Sequence, residues 1–189
     1  MSGVLQLLVS SATQVPPWVT ISAGDWLGDT GSFTLGTGTI TGNTGDMNVR
    51  MGLTIIASAQ DFDFEAAGGA FGSSNGPYMG FYDNGTATGA TKPTNTNAIV
   101  SIVNGGGTPG YENNGDTNEG PKTAGFMASV TVRLSRRGSS YKAYLNDVLN
   151  YTWTGVTGST AGGFYFGTGG GTNGWSFSGV RYRKGSGLP

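Results

Sequence analysis

The segment from Asp61 to Glu65 places three carboxylates, Asp61, Asp63 and Glu65, at alternate positions with Phe62 and Phe64 between them. Successive side chains of a β-strand point to opposite faces, so this pattern predicts a strand with one acidic and one aromatic face. Carboxylates in such a row can serve a sugar-cleaving enzyme or bind a hard cation such as Ca²⁺. They can also form the polar side of a strand whose aromatic side packs on a core.

A second group of polar and aromatic residues could bind a sugar. Residues 110–120 are rich in acidic and amide side chains but lack the spacing of an EF-hand loop, so we interpret them mainly as a solvated loop. Amides could hydrogen-bond a sugar and aromatic rings could stack on one, although rings in a β-sandwich often belong to the core. The candidate glycan-binding residues are Tyr78, Tyr82, Tyr111, Asn113, Asn114 and Trp175.

The composition excludes several functional classes. The 189 residues are enough for one domain with a sizeable core. The chain contains no cysteine and no histidine, which excludes disulfides, thiolate metal sites, and Ser-His-Asp or Cys-His catalysis. Charged residues make up 11% and the net charge is −1, so we expect no nucleic-acid partner. Nor do we expect a membrane partner, because no apolar segment is long enough to span a bilayer.

Short alternating segments predict an all-β protein with little helix. The clearest of them is "SVTVRLS", in which Val130, Val132 and Leu134 share one face. We therefore assign the 36 glycines to turns and bulges of such a protein and do not interpret them as a sign of disorder. Asn146 and Asp147 fit a tight hairpin turn, because both residue types tolerate a positive φ. The long segments 84–97 and 104–122 are predicted to be loops.

The C-terminal third resembles the concanavalin A-like lectin/glucanase superfamily, which includes laminin-G-like domains. The resemblance is carried by a hairpin with Gly138, Tyr141, Tyr144 and Asn146, followed by two strands with Phe164, Gly167, Phe177, Gly179 and Tyr182. It implies a two-sheet antiparallel jelly-roll sandwich. It does not by itself imply sugar binding, because one fold supports many functions.

The segment "DFDFE" is similar to the E-x-D-x-E motif of laminarinase-like hydrolases in that superfamily. Asp61, however, stands at the position of the nucleophilic glutamate and is one methylene shorter. Carboxyl groups of a retaining glycosidase lie about 5–5.5 Å apart, whereas positions i and i+4 of a strand are roughly 13 Å apart at Cα. We therefore expect that the protein is not an enzyme. No cofactor is expected, although Ca²⁺ at Asp61, Asp63 and Glu65 stays an alternative.

The first residues, "MSGVLQLL", resemble the start of many short virion proteins of tailed bacteriophages. Residues 1–14 are predicted to be an assembly arm, which Pro16 and Pro17 separate from a single β-sandwich domain, residues 15–189. The alternative is that these residues form a first strand of the sandwich. The arm carries no charged side chain, and its apolar run is too short to span a membrane. No Lys or Arg precedes that run, as one would in a secretory signal. The apolar residues of the arm are Val4, Leu5, Leu7, Leu8 and Val9.

Two functions follow from these patterns. The first is a structural role in a tailed-phage virion, as a capsid-decorating, fibre or tail-associated module that assembles in the host cytoplasm. This role predicts other virion proteins as partners and a homo-oligomer, because virion sites are symmetric. The alternative is a lectin-like module that binds a glycan of the host cell surface.

Overall fold

The computed structural model describes residues 14–42, 48–51, 55–71, 77–83, 98–103, 110–113, 117–119, 127–153, 156, 161–168 and 175–189. The first thirteen residues, which include the apolar residues of the assembly arm, lie outside the described residues, as do most residues of segments 84–97 and 104–122.

Fifteen strands and two short 3-10 helices, Ala23–Asp25 and Thr30–Ser32, make up the described secondary structure. The strands are β1 (Val19–Thr20), β2 (Trp26–Gly28), β3 (Phe33–Gly36), β4 (Thr39–Gly42), β5 (Asn48–Met51), β6 (Phe62–Phe71), β7 (Pro77–Asp83), β8 (Ala98–Val103), β9 (Gly110–Asn113), β10 (Thr117–Glu119), β11 (Thr131–Arg137), β12 (Ser140–Leu145), β13 (Val148–Thr152), β14 (Gly162–Thr168) and β15 (Trp175–Lys184).

Two antiparallel sheets form a sandwich. The eight-stranded sheet has the order β13-β12-β11-β6-β15-β4-β3, with β1 paired to β15. The seven-stranded sheet has the order β10-β9-β8-β7-β14-β5-β2. The prediction of an all-β, two-sheet jelly roll is therefore confirmed.

The core between the sheets is aromatic. Phe62 and Phe64 of β6 are fully buried, and Phe64 stacks on Phe164 of β14 with ring centroids 4.3 Å apart. Val132 and Leu134 are also fully buried, and Val130 packs against the same cluster, as the alternation of that segment predicts. Strand alternation thus places one face of each sheet in a shared core.

The β12–β13 hairpin turns as its sequence predicts. Asn146 and Asp147 have φ values of 47° and 63°, the left-handed conformation that a tight hairpin turn requires. The Asn146 side-chain oxygen accepts a hydrogen bond from the backbone N–H of Thr131 at 2.9 Å. This bond joins the turn to the beginning of β11.

Arg136 of β11 is a charged residue whose side chain lies inside the protein. Its side chain is fully buried, and the guanidinium lies 5.3 Å from the ring centroids of both Phe62 and Phe81. It donates hydrogen bonds to the carbonyl oxygens of Ala57, at 2.8 Å, and Gln60, at 2.6 Å. These bonds compensate a buried charge, which would otherwise be costly, and hold the turn that leads into β6.

Candidate functional site

Asp63 lies on the outer face of the eight-stranded sheet, on the side of β6 opposite to Phe62 and Phe64, and is fully buried. One carboxylate oxygen accepts hydrogen bonds from Ser135 Oγ, at 2.6 Å, and Arg137 Nη2, at 2.8 Å. The other accepts from Arg183 at 2.8 Å. The neighbouring strands supply these donors in direct register, because Asp63 is paired with Ser135 on β11 and with Arg183 on β15.

Glu65 and Asp61 have separate partners. Arg181 donates from Nε and Nη2 to one oxygen of Glu65, at 2.9 and 2.6 Å. The carboxylate of Asp61 accepts from the backbone N–H of Gly138 at 2.7 Å, at the turn between β11 and β12. Each carboxylate of the row is thus bound by a donor from another strand or turn.

This arrangement fits the interpretation of a polar strand face over an aromatic core. Guanidinium groups occupy the positions where a cation would bind Asp63 and Glu65. In the parts of the chain that the structure describes, no group of three or more His, Cys, Asp or Glu side chains could hold a metal ion. The cation hypothesis for Asp61, Asp63 and Glu65 therefore gains no support from the geometry.

The segment before β1 covers part of this charged face. The ring of Trp18 lies over both Arg181 and Arg183, with each guanidinium carbon 4.5 Å from the ring centroid. Cation–π contacts of this kind add to the hydrogen bonds that the arginines make with carboxylates. A sequence signal for this arrangement exists, because Arg181 and Arg183 on β15 repeat the alternate spacing of Asp63 and Glu65 on β6.

The outer face of the seven-stranded sheet carries a different pattern, in which tyrosines face glycines. Across β7 and β14, Tyr78 is paired with Gly167, Tyr165 with Gly80, and Tyr82 with Gly163. Each tyrosine therefore has a neighbour without a side chain on the adjacent strand.

Two of these tyrosines are held in fixed positions by their hydroxyl groups. The Tyr82 hydroxyl donates to the carbonyl oxygen of Met51, and the hydroxyls of Tyr165 and Ser101 are hydrogen-bonded to each other. The rings of Tyr82 and Tyr165 meet edge to face with centroids 6.3 Å apart, and both are almost completely buried. Tyr78 packs against this pair but keeps part of its surface exposed.

The other predicted glycan-binding residues lie elsewhere. Trp175 is 1% exposed and packs on Phe33 and Phe177 in the core, so its ring offers no face to a ligand. Tyr111 is fully buried on the core side of β9, where its ring stacks on that of Tyr151, and burial raises the pKa of its hydroxyl.

The two predicted amides are not part of the described side chains. Asn113 is placed through its backbone, which ends β9 in register with Val100 of β8. Asn114 lies outside the described residues. Of the candidate glycan-binding residues, the structure therefore brings together Tyr78 and Tyr82 and adds Tyr165 and Ser101.

Sequence reasoning missed Tyr165 and Ser101, although a signal for the first was present. Residues 78–82 read Tyr-x-Gly-x-Tyr, and residues 163–167 read Gly-x-Tyr-x-Gly. These two patterns are complementary when their strands pair in antiparallel register. Nothing comparable marks Ser101 in the sequence.

Comparison with solved structures identifies proteins that share this fold. The carbohydrate recognition domain of Emp47p superimposes with a TM-score of 0.52 at 10% identity, covering 92% of this chain and 91% of that one. The same domain of Emp46p, in its potassium-bound form, superimposes with a TM-score of 0.53 at 13% identity, covering 88% of this chain and 90% of that one. A native glycosidic hydrolase superimposes with a TM-score of 0.55 at 14% identity, covering 95% of this chain and 100% of that one.

These likenesses show that the fold is a concanavalin A-like jelly roll of the kind found in lectin and glycosidase domains. A scan of protein-family models and a search of curated proteins found no match. None of the three structures is described as a virion protein, and at 10–14% identity the likenesses show the fold alone.

The expectation that the protein is not an enzyme is contradicted by the same comparison, because a glycosidic hydrolase shares the fold over its whole length. The geometry of Asp61, Asp63 and Glu65 concerns one row of carboxylates and does not decide the matter for the rest of the molecule. At 14% identity the likeness shows the fold and assigns no activity to this chain.

Among the described residues, no helix is long and apolar enough to cross a membrane. The assembly arm, with Val4, Leu5, Leu7, Leu8 and Val9, is not described, so its predicted contacts with virion partners stay predictions.

Proposed function

We propose that the protein is a carbohydrate-binding module whose ligand lies on the outer face of the seven-stranded sheet, against the ring of Tyr78. The observation that carries the proposal is the group of paired tyrosines and glycines on β7 and β14. The presence of this fold in two carbohydrate recognition domains and a glycosidic hydrolase supports the proposal at the level of fold alone.

Tyr78 has the properties that stacking on a sugar requires. The C–H groups of a pyranose ring pack well on an aromatic face, and a tyrosine loses little side-chain entropy when it binds. The ring of Tyr78 is partly exposed, and it rests on Tyr82 and Tyr165, whose hydroxyls are hydrogen-bonded. Its support is therefore rigid before any ligand arrives, which limits the entropy cost of binding.

Tyr82 and Tyr165 act in this proposal as positioning residues. Their rings are covered, so a ligand would contact Tyr78 first. Gly167, paired with Tyr78 on β14, presents no side chain beside the phenol ring.

The proposal is tested by screening the intact protein against immobilised neutral and acidic polysaccharides, while released reducing ends are measured in the same samples. For a ligand found in this way, we expect Tyr78→Ala to weaken binding by roughly tenfold or more, about 1.4 kcal/mol. Tyr78→Phe should retain most of the affinity, because stacking needs the ring rather than the hydroxyl.

Tyr144→Ala is the matched control, because Tyr144 is a partly exposed tyrosine on the opposite sheet, where it packs under Arg133. Its loss should leave binding unchanged. Equal loss of affinity in Tyr78→Ala and Tyr144→Ala, or no binding to any saccharide, would contradict the proposal. Release of reducing ends would show that the protein also cleaves the polysaccharide that it binds.

The predicted role in a tailed-phage virion stays a second proposal that rests on residues 1–14 alone. It is compatible with the first, because a glycan-binding module can form part of a virion. The structural neighbours named above lend it no support.

A further inference from the structure

The strand β13 forms an exposed edge of the eight-stranded sheet. Among the described strands it has a neighbour, β12, on one side and none on the other. Val148 is 66% exposed and Leu149 is 50% exposed. Residues 148–153, "VLNYTW", contain no charge and no proline. Edge strands usually carry charged residues or proline, because these discourage pairing of the open edge with a strand from another chain.

The other four edges that the structure describes are better protected, and the shortest is β1, which has two residues and pairs with β15 alone. The strand β2 has three residues and lies between Asp25 and Asp29, and β10 has three residues and ends at Glu119. The strand β3 has four residues and ends at Gly36. Short length and flanking charge both discourage pairing with another chain. The edge of β13 differs because it is the longest of these, with five residues, and because it exposes both Val148 and Leu149.

The same chain contains a segment that fits an open edge. Residues 4–9, "VLQLLV", are uncharged, and the first charged residue of the chain is Asp25. In an extended conformation Leu5, Leu7 and Val9 would share one face and Val4, Gln6 and Leu8 the other. Five large aliphatic side chains in water would form a sticky patch, so they require a partner surface.

The length of chain before the described residues argues against pairing within one molecule. Pro16 lies beside Gly185, at the end of β15, since a Cβ added to that glycine would be 3.2 Å from Pro16 Cγ. Five strand spacings, or about 24 Å across the sheet, separate β15, beside which Pro16 lies, from a strand added outside β13. The seven residues from Pro16 back to Val9 span at most about 24 Å, so pairing within one molecule would need this segment to run straight and fully extended across four strands.

We propose that residues 4–9 of one copy of this chain add as a strand to the free edge of β13 in a second copy. Backbone hydrogen bonds would provide most of the affinity, and Leu149 would pack against the aliphatic side chains of the added strand. The absence of charge on both strands avoids like-charge repulsion. This contact joins two different surfaces and therefore builds a ring or a chain of subunits. It does not depend on the proposed carbohydrate binding.

The first test compares the solution mass of the intact protein with that of two variants at the same concentration, by light scattering. Leu149→Lys places a charge on the β13 edge and should convert the oligomer to a monomer that stays folded. Leu27→Lys is the matched control, because Leu27 is 47% exposed on the edge strand β2 and should leave the oligomer intact. A monomeric wild type, an unaffected Leu149→Lys, or equal dissociation of both variants would overturn the proposal.

The second test identifies which segment pairs with the β13 edge. Because the chain contains no cysteine, any disulfide must form between the introduced residues. Protein carrying Leu7→Cys is mixed with protein carrying Leu149→Cys and oxidised. We expect disulfide-linked dimers that contain one copy of each, and few such dimers when Leu27→Cys replaces Leu149→Cys. Dimers of Leu149→Cys alone would show β13 paired with itself, and dimers of Leu7→Cys alone would show paired arms. Either result would overturn the proposal.

Discussion

Tyr165 and Gly80 face each other directly across β14 and β7, and the tyrosine ring lies over the glycine backbone. A Cβ atom added at Gly80 would overlap this ring and would lie 2.5 Å from the carbonyl oxygen of Val100. The glycine is therefore required by its neighbour rather than by its own backbone angles. Through Tyr165, it also sets the position of the tyrosine group on which Tyr78 rests.

Gly80→Ala should destabilise the protein by about 1–3 kcal/mol, because the backbone carbonyl of Val100 cannot move as easily as a side chain. For a domain of this size, that corresponds to a fall of roughly 2–4 °C in Tm per kcal/mol. Gly24→Ala is the control, since a Cβ at Gly24 would meet nothing within 4 Å. A thermal scan in which both variants melt together with the wild type would show that the ring moves aside without cost.

Arg136→Met should destabilise the protein by about 2–4 kcal/mol, because the carbonyl oxygens of Ala57 and Gln60 would lose their buried donors. Methionine keeps most of the volume, so the loss reports hydrogen bonds more than packing. Urea unfolding measures the effect. Lys142→Met, on the partly exposed side of β12, is the control and should stay within about 0.5 kcal/mol. An unfolding midpoint of Arg136→Met equal to that of the control would contradict the role of these bonds.

The stability of the protein should fall as the pH rises above about 10. Burial raises the pKa of the Tyr111 hydroxyl, and burial together with Asp25 raises that of Tyr182. In the unfolded chain these groups ionise at their ordinary pKa, whereas the folded protein keeps their protons. The unfolded state therefore binds fewer protons in this range, and the free energy of unfolding decreases with pH. Urea midpoints of Tyr111→Phe should decline less steeply, and a slope identical to that of the wild type would be the contrary result.

The row of carboxylates at Asp61, Asp63 and Glu65 shows which features of the fold the sequence alone can predict. Alternation of Asp63 and Glu65 with two phenylalanines predicts the strand and its two faces, because that pattern is local. The arginines that bind these carboxylates are far along the chain, and Arg183 lies 120 positions after Asp63. Their meeting depends on sheet order and register, which local patterns do not determine.

The aromatic residues show a different limit. Alternation assigns Tyr78 and Tyr82 to one face of β7, yet it does not say which face is covered. Trp175 and Tyr111 lie in the core, because burial of a large aromatic ring contributes more to the stability of the fold than exposure of that ring to solvent. The choice between core and surface for these rings is made by the packing of the two sheets.

Differential nitration of tyrosines measures directly whether a bound glycan covers Tyr78. Tyr78 and Tyr144 are both partly exposed, on opposite sheets, so both should be nitrated in the free protein. With a saturating saccharide from the binding screen, peptide mass spectrometry should show Tyr78 protected while Tyr144 reacts as before. A bound saccharide that protects Tyr144, or that leaves Tyr78 as reactive as in the free protein, would contradict the account.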